Sequence, residues 1–368
     1  MKVSIITILD NTNFGTYLQA LATVKVTERL GYEAEVVRYT RDSMTGWGQL
    51  KYMLRDRGVL SVLRNGWKIP RTKKLRERDY AFLSKHVAVT EEYVGYESLQ
   101  ANPPIADVYL VGSDQVWNSI YNKGIDKSFY LEYAPKGKKR VSYASSIGMD
   151  YIPEHEISET KMLLKKFDGI TVREKAAKEL LTQYDIQSEV VLDPTLLLDA
   201  NEWLDILGKN SMCFNEKYLL VYSVERKKQN RLINYYARKI AKQRKLKIFQ
   251  VSYSGTASKL SCTDKFFGCA TPDVFLSLMK NASFVVVSSF HGTAFSVNFQ
   301  KDFLTISANR FNSRVKNLLE ITNLSDRMVS DKECDLQSIK KIDYVDVNSR
   351  MKKAREKSVS ILKNMLKQ

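Results

Sequence analysis

The sequence predicts an α/β protein of two parallel-sheet domains, each with helices on both faces of its sheet. Three observations carry this. The chain has 368 residues, beyond the roughly 250–300 at which one hydrophobic core divides into two. Short apolar, β-branched runs alternate with helical patterns, and that alternation makes parallel sheets with crossover helices. The alternation also pauses at Asp193-Pro194 and restarts near residue 196.

Residues 3–9 are apolar and β-branched and read as the first strand. Asn11-Thr12-Asn13-Phe14-Gly15 follows as loop. A helical stripe then runs through Leu18, Leu21, Ala22, Val26 and Leu30 to a stop at Gly31. Residues 34–39, 107–111, 140–145 and 169–172 read as further strands, with a helix over 174–181. Residues 189–192 form a strand that ends at Pro194, since proline cannot donate to a ladder. In the second half, 218–223, 247–251, 283–287 and 303–306 are strands. Helices are expected over 230–245, 273–280, 292–298 and 313–321, the first with Ile233, Tyr236, Ala237 and Ile240 on one face. Met351, Ala354, Ser358, Leu362 and Met365 fall on one stripe of an amphipathic terminal helix. The predicted domains are residues 1–195, with a basic insertion over about 46–95, then 196–345, then the basic helix 346–368.

Composition excludes several classes. Hydrophobic residues make up 44% and charged residues 27%, the balance of a globular protein. No apolar run approaches the ~18 residues of a membrane span. Met1-Lys2 leads straight into the first strand pattern with no small-residue cleavage site behind it, so the expected location is the cytoplasm. The cysteines (Cys213, Cys262, Cys269, Cys334) form no Cys-x-x-Cys pair, and the only histidines are His86, His155 and His291. That argues against a zinc site or a disulfide framework, and no metal is expected. The abnormal figure is the net charge of +17. Residues 50–80 hold ten cations against three acids, and residues 350–368 seven against one. Concentrated basic charge favours anionic partners without choosing among nucleic acid, lipid and phosphorylated substrate.

In open parallel sheets, ligands sit outside the carboxyl ends of the strands, which selects four loops. Phe284-Val-Val-Val-Ser-Ser-Phe-His-Gly-Thr-Ala-Phe-Ser ends a buried strand in Ser288 and Ser289, then presents His291 and a glycine before a helix. The amides of Gly292, Thr293 and Ala294 are expected as helix N-terminal donors to an anion. A histidine there can transfer protons near neutral pH; the plainer alternative is a structural cap. Ala308-Asn-Arg-Phe-Asn-Ser-Arg places Arg310 and Arg314 four apart, either as forks for carboxylate or phosphate or as a solvated helix face. Tyr109-Leu-Val-Gly-Ser-Asp-Gln-Val-Trp-Asn offers Ser113, Asp114, Gln115 and Asn118, which suit polyol recognition with Asp114 as base, or equally a turn with a capped helix. The loop-to-helix segment 11–19 is too poor in glycine for a dinucleotide fingerprint. The chain has no Gly-x-x-x-x-Gly-Lys-Ser/Thr, so P-loop chemistry is excluded.

These residues carry a resemblance. Asn13-Phe-Gly-Thr-Tyr-Leu-Gln-Ala, Val111-Gly-Ser-Asp-Gln-Val-Trp-Asn, Ser142-Tyr-Ala-Ser-Ser-Ile-Gly, Val172-Arg-Glu-Lys, Val191-Leu-Asp-Pro-Thr-Leu-Leu and Ser289-Phe-His-Gly-Thr-Ala-Phe-Ser together resemble the motif series of the polysaccharide pyruvyltransferase family, in the family's order. The resemblance implies two Rossmann-like domains facing a central cleft, as in GT-B glycosyltransferases. It also implies transfer of the enolpyruvyl carbons of phosphoenolpyruvate onto a sugar of a bacterial surface polysaccharide or its lipid-linked precursor, with no further cofactor.

Phosphoenolpyruvate carries a phosphate and a carboxylate, so its pocket needs fixed positive potential. On this reading His291 transfers the proton, and Ser288, Ser289, Gly292 and Thr293 hold anionic oxygen. Arg310 and Arg314 neutralise the donor, and Arg173, from the Val-Arg-Glu block, joins them. The first domain holds the acceptor through Asn13, Thr16, Gln19, Ser113, Gln115 and Asn118, with Asp114 as base. Several branches of the family carry arginine two residues before this histidine, where this chain has Ser289; the donor's charge is therefore expected to be met by Arg310 and Arg314.

Two rival functions share these features. A sugar-nucleotide glycosyltransferase fits the same architecture but needs nucleotide-binding carboxylates that are not evident near 264–273. A nucleic-acid-binding protein fits only the charge, and the cations follow no helix-turn-helix, zinc-finger or RNP pattern. The segment 46–68 interleaves Trp47, Leu50, Tyr52, Met53, Leu54, Leu60, Val62, Leu63 and Trp67 with cations. It reads either as an interfacial helix on an anionic membrane or as an insertion packed on the first domain. The oligomeric state is not legible.

Overall fold

Strand β1 (Lys2–Ile6) lies inside a seven-stranded sheet with β2 (Glu33–Thr40), β3 (Ala88–Val94), β4 (Val108–Val111), β5 (Lys139–Ser145), β6 (Gly169–Val172) and β7 (Glu189–Val190). The order is β3-β2-β1-β4-β5-β6-β7, and every pair is parallel. A six-stranded parallel sheet follows from β8 (Tyr218–Tyr222), β9 (Lys247–Val251), β10 (Lys265–Phe267), β11 (Phe284–Val287), β12 (Phe303–Ile306) and β13 (Met328–Val329). Its order is β10-β9-β8-β11-β12-β13. This computed structural model describes all residues except 11–12, 209–211, 213, 225–226, 255–258, 308–311, 333–335, 337–338 and 368. It forms two compact units, Met1–Pro194 with Val359–Gln368, and Thr195–Ser358.

The central strands read as continuous apolar runs because helices cover both faces of each sheet. Val285, Val286 and Val287 are fully buried, as are Leu219, Leu220 and Val221 on the neighbouring β8. The helix Phe14–Arg29 is buried nearly all round, from Phe14 through Val24, so it is an interior helix rather than a surface one. Each such Leu, Val or Phe contributes about 1.5–3 kcal/mol on burial.

Three strands were not expected from the sequence. β3 lies within the segment read as insertion, with mostly exposed residues and Glu91 and Glu92 on it. An edge strand of that kind lacks the apolar signal. β10 and β13 have three and two residues, too short for any pattern. The rest of the insertion is helical: Gly46–Arg57, Val59–Asn65 and Lys68–Ser84, the first two separated by Gly58 at φ 71°.

The terminal helix runs Tyr344–Leu366; its residues to Ser358 belong to the second unit and those from Val359 to the first. Met351, Ser358 and Leu362 are buried, so its apolar stripe is already covered by protein. Met365 packs on Gly169 at the start of β6, where a Cβ would come within 3.0 Å of its sulfur.

Candidate active site

Strand order reverses between β1 and β4 in the first sheet and between β8 and β11 in the second. The crevice at the carboxyl ends beside such a reversal is where doubly wound sheets bind ligands. The motif residues fall at these two points.

In the first unit, β4 runs into Gly112, Ser113 and Asp114. Gly112 is required there, because a Cβ would press on Thr7 at 3.2 Å. Asp114 has φ 84°, a left-handed backbone that is uncommon for a residue with a side chain. Its Oδ1 accepts the Gln115 amide at 2.8 Å and its Oδ2 the Thr16 hydroxyl at 3.3 Å. Arg173, the residue after β6, is almost fully buried. Its Nη1 donates to Asp193 Oδ2 at 2.7 Å and to Ser113 Oγ at 3.2 Å, and Ser113 Oγ donates to Asp193 at 2.8 Å. Glu174 and Asp114 stand 3.8 and 3.9 Å from the same guanidinium. Ser146 Oγ donates to Glu174 at 2.6 Å. Burial disfavours the charged guanidinium, but the combined fields of Asp193, Glu174 and Asp114 hold its pKa above the ordinary arginine value. Five of the six motif blocks thus meet in one buried network.

That network corrects the acceptor expectation. Thr16, Gln19, Ser113 and Asn118 are buried and paired within the fold. Gln19 Nε2 donates to Thr7 Oγ1 at 2.9 Å. Asn118 Oδ1 accepts the Tyr121 amide at 3.0 Å, and its Nδ2 donates to Gln115 Oε1 at 2.8 Å. They set the loops and offer no surface to a sugar. Asn13 and Gln115 remain half-buried; Asn13 caps the first helix by accepting the Gly15 amide at 3.0 Å. Arg173, expected among the donor's cations, is engaged by three carboxylates, Asp193, Glu174 and Asp114.

What does open to solvent here is a cavity of about 700 Å³ beside the carboxyl end of β2, which the sequence reading missed. Arg41 is fixed at its floor by Asp10, with Nη2–Oδ1 at 2.6 Å and Nε–Oδ2 at 2.9 Å, and donates to Asn122 Oδ1 at 2.6 Å. The Tyr39 hydroxyl lies 3.1 Å from an Asp126 carboxylate oxygen. Burial pushes the Asp126 carboxyl above the usual carboxylate range. Lys51, Tyr52 and Arg55 from the helix Gly46–Arg57 line the cavity with Lys123 and Lys127, alongside the carboxylates of Asp42, Glu97 and Asp126. Lys123 Nζ sits 3.1 Å from the centroid of the Tyr52 ring.

In the second unit, β11 ends in Ser288 and Ser289, and the helix starts at Phe290, two residues earlier than expected. This shift corrects the anion-binding assignment of Gly292 and Thr293. The Gly292 amide donates to the capping Ser289 Oγ at 3.0 Å, and the Thr293 amide to the Ser289 carbonyl at 3.0 Å. The Thr293 hydroxyl is engaged with Ser289 O and Thr305 Oγ1. Ser288 Oγ donates to Ser223 Oγ at 3.3 Å, joining the ends of β11 and β8. His291 is the second residue of the helix, buried, its ring edge-on to Phe290 at 5.2 Å. Arg314 is half-buried in the first turn of the helix Ser313–Ile321. Arg310 lies outside the described residues.

Glycine at 292 is imposed by packing, since a Cβ would meet Val287 at 2.8 Å. Gly292→Ala is expected to force helix and strand apart at a cost of about 1–3 kcal/mol, read as a lower denaturant midpoint; an unchanged midpoint would show that the contact relaxes freely. Among the described residues, no group of three His, Cys, Asp or Glu is placed to hold a metal ion, and no helix is long and apolar enough to cross a membrane.

Comparison with known proteins supplies the family. A family model described as polysaccharide pyruvyl transferase matches residues 13–310. No curated protein matches the sequence. Among solved structures, the UDP-GlcNAc 2-epimerase of Methanocaldococcus jannaschii is similar at a TM-score of 0.53 and 13% identity, over 97% of this chain and 92% of that one. The UDP-GlcNAc 2-epimerase of Neisseria meningitidis bound to UDP-GlcNAc is similar at 0.52 and 10% identity, over 100% and 99%. At such identity the likeness shows the fold alone: two Rossmann-like units of the GT-B type.

Proposed function

The chain belongs to the polysaccharide pyruvyl transferase family, and we propose that its donor is phosphoenolpyruvate and its product a pyruvate ketal on a sugar. The observation that carries this is the family match across both sheets, joined to a histidine at the reversal point of the second. In the reaction one sugar hydroxyl attacks the enol carbon after its methylene is protonated, phosphate leaves, and a second hydroxyl closes the ring. Of the two hydroxyl protons, one is balanced by the new methyl group and the other leaves with phosphate.

In the second unit His291 is the proton-transfer residue, and Ser288, Arg314 and Arg310 keep their donor roles. Asp114, expected as the acceptor's base, is buried in the first unit, accepts from Thr16 and Gln115 and does not line the Arg41 cavity, so it is not carried into the acceptor site. The cavity floored by Arg41 replaces the buried motif residues as acceptor site. Its lysines and Arg55 suit an acceptor carrying negative charge, such as the diphosphate of a lipid-linked precursor, and Tyr52 and Tyr96 suit the faces of its sugars. No cofactor beyond the donor enters this reading. We place the reaction in the cytoplasm, at the inner membrane face when the acceptor is lipid-linked.

Thermal unfolding tests the donor without an acceptor. Phosphoenolpyruvate at 100 times its dissociation constant stabilises by roughly 2.7 kcal/mol, a rise of about 2–4 °C per kcal/mol for units of this size. We expect that rise with phosphoenolpyruvate and not with inorganic phosphate or UDP- or GDP-sugars at matched ionic strength. A rise with a sugar nucleotide alone would overturn the reading in favour of a glycosyltransferase.

A further inference from the structure

We propose that the insertion helices Gly46–Arg57 and Val59–Asn65 seat the protein on an anionic lipid bilayer by burying exposed tryptophan and leucine side chains in it. The inference deepens the lipid-linked acceptor reading and rests on that reading only for its purpose; the surface itself is argued from the structure. Of the sixteen large apolar residues exposed among the described residues, six fall between positions 47 and 67. Trp47, Leu54, Val59, Leu60, Leu63 and Trp67 are each between 50% and 85% exposed. Apolar surface gathered in this way marks an interaction site, whereas single exposed residues do not.

Their spacing is that of an interfacial helix. Positions 47, 51 and 54 share one face of the first helix, and 59, 60 and 63 one face of the second. Cations stand among them: Lys51 and Arg55 on the first, Arg64 on the second, all exposed. Lys73 and Lys74 extend the charge onto the next helix. The second helix has seven residues and none of them is buried. A helix that short gains little stability alone in water and normally depends on a covered face. Trp67 is prepared for an apolar phase, because its Nε1–H already donates to Arg64 O at 3.0 Å and leaves no donor to desolvate. Ile120 and Tyr121 are exposed as well, two or three residues before Lys123, which packs on Tyr52 of the insertion.

Charge selects the occupant. A second copy of this chain would set the exposed Lys51, Arg55, Arg64, Lys73 and Lys74 against the same five cations and be repelled. An anionic bilayer complements both the cations and the apolar stripe. The terminal helix, although as basic, contributes no insertion because its stripe is covered.

Vesicle flotation of the full chain, without donor or acceptor, tests this. Phosphatidylcholine vesicles containing phosphatidylglycerol should carry the protein upward, and pure phosphatidylcholine vesicles should carry much less. The chain's tryptophans divide conveniently: Trp47 and Trp67 are exposed in the insertion, whereas Trp117 and Trp203 are buried. Brominated lipid should therefore quench the exposed pair. Combined Leu60→Ser, Leu63→Ser and Trp67→Ser should weaken binding by at least about tenfold with the melting curve retained, since all three side chains already face water. Lys73→Gln with Lys74→Gln should weaken it in a salt-dependent way. Three results overturn the proposal: no flotation with anionic vesicles, flotation without quenching and indifferent to the apolar substitutions, or self-association of the unaltered chain that those substitutions abolish. Each leaves the phosphoenolpyruvate melting test untouched.

Discussion

Replacing His291 by alanine is expected to lower pyruvyl-transfer turnover by about 10²–10⁴-fold, the range over which a positioned proton-transfer group acts. The side chain is buried in the first turn of the helix Phe290–Asn298, whose cap is made by Ser289 and Gly292, so the helix itself does not depend on the imidazole. The substitution should therefore cost no more than about 1–3 kcal/mol of stability. His291→Gln, which keeps the volume and removes the proton-transfer group, should lose the same activity. Ser288→Ala, beside it, should act more on the Michaelis constant for phosphoenolpyruvate. Turnover within about twofold of the unaltered enzyme in either histidine variant would remove the residue from the mechanism.

The difference between the two units shows what sequence pattern carries. β8 and β11 are legible because Tyr218–Tyr222 and Phe284–Val287 are apolar on both faces. The loop after β11 was legible as a site because strand end, serine, histidine and glycine follow one another directly. Its hydrogen bonding was not: starting the helix two residues early reassigns the amides of Gly292 and Thr293 from ligand to cap. The six motif blocks were visible in the sequence, but not that the five outside the second unit's histidine loop meet in one buried network. The contacts that join them span 98 residues from Thr16 to Asp114 and 60 from Ser113 to Arg173, distances that no local periodicity encodes. The cavity was hidden for the same reason, since Asp10–Arg41 and Tyr39–Asp126 span 31 and 87 residues. Charge counting marked Lys51 and Arg55 without showing which cavity they face.

Arg173 separates motif from function most sharply, and Arg173→Met is the substitution with the largest expected structural effect. It leaves Asp193, buried to the same degree, without its cation, and Glu174 and Asp114 without the field that offsets their repulsion. Removing one partner of such a buried pair costs about 3–5 kcal/mol, which for a unit of about 200 residues lowers the melting temperature by roughly 6–20 °C. Adding Asp193→Asn to Arg173→Met should recover much of the loss, because one uncompensated charge is removed; a double-mutant cycle measures the coupling. A single variant that melts normally but no longer responds to phosphoenolpyruvate would return Arg173 to the donor site that its motif suggests. A variant that melts early, is rescued by Asp193→Asn and still binds the donor fixes its role as the tie that holds the loops of β4, β6 and β7 together.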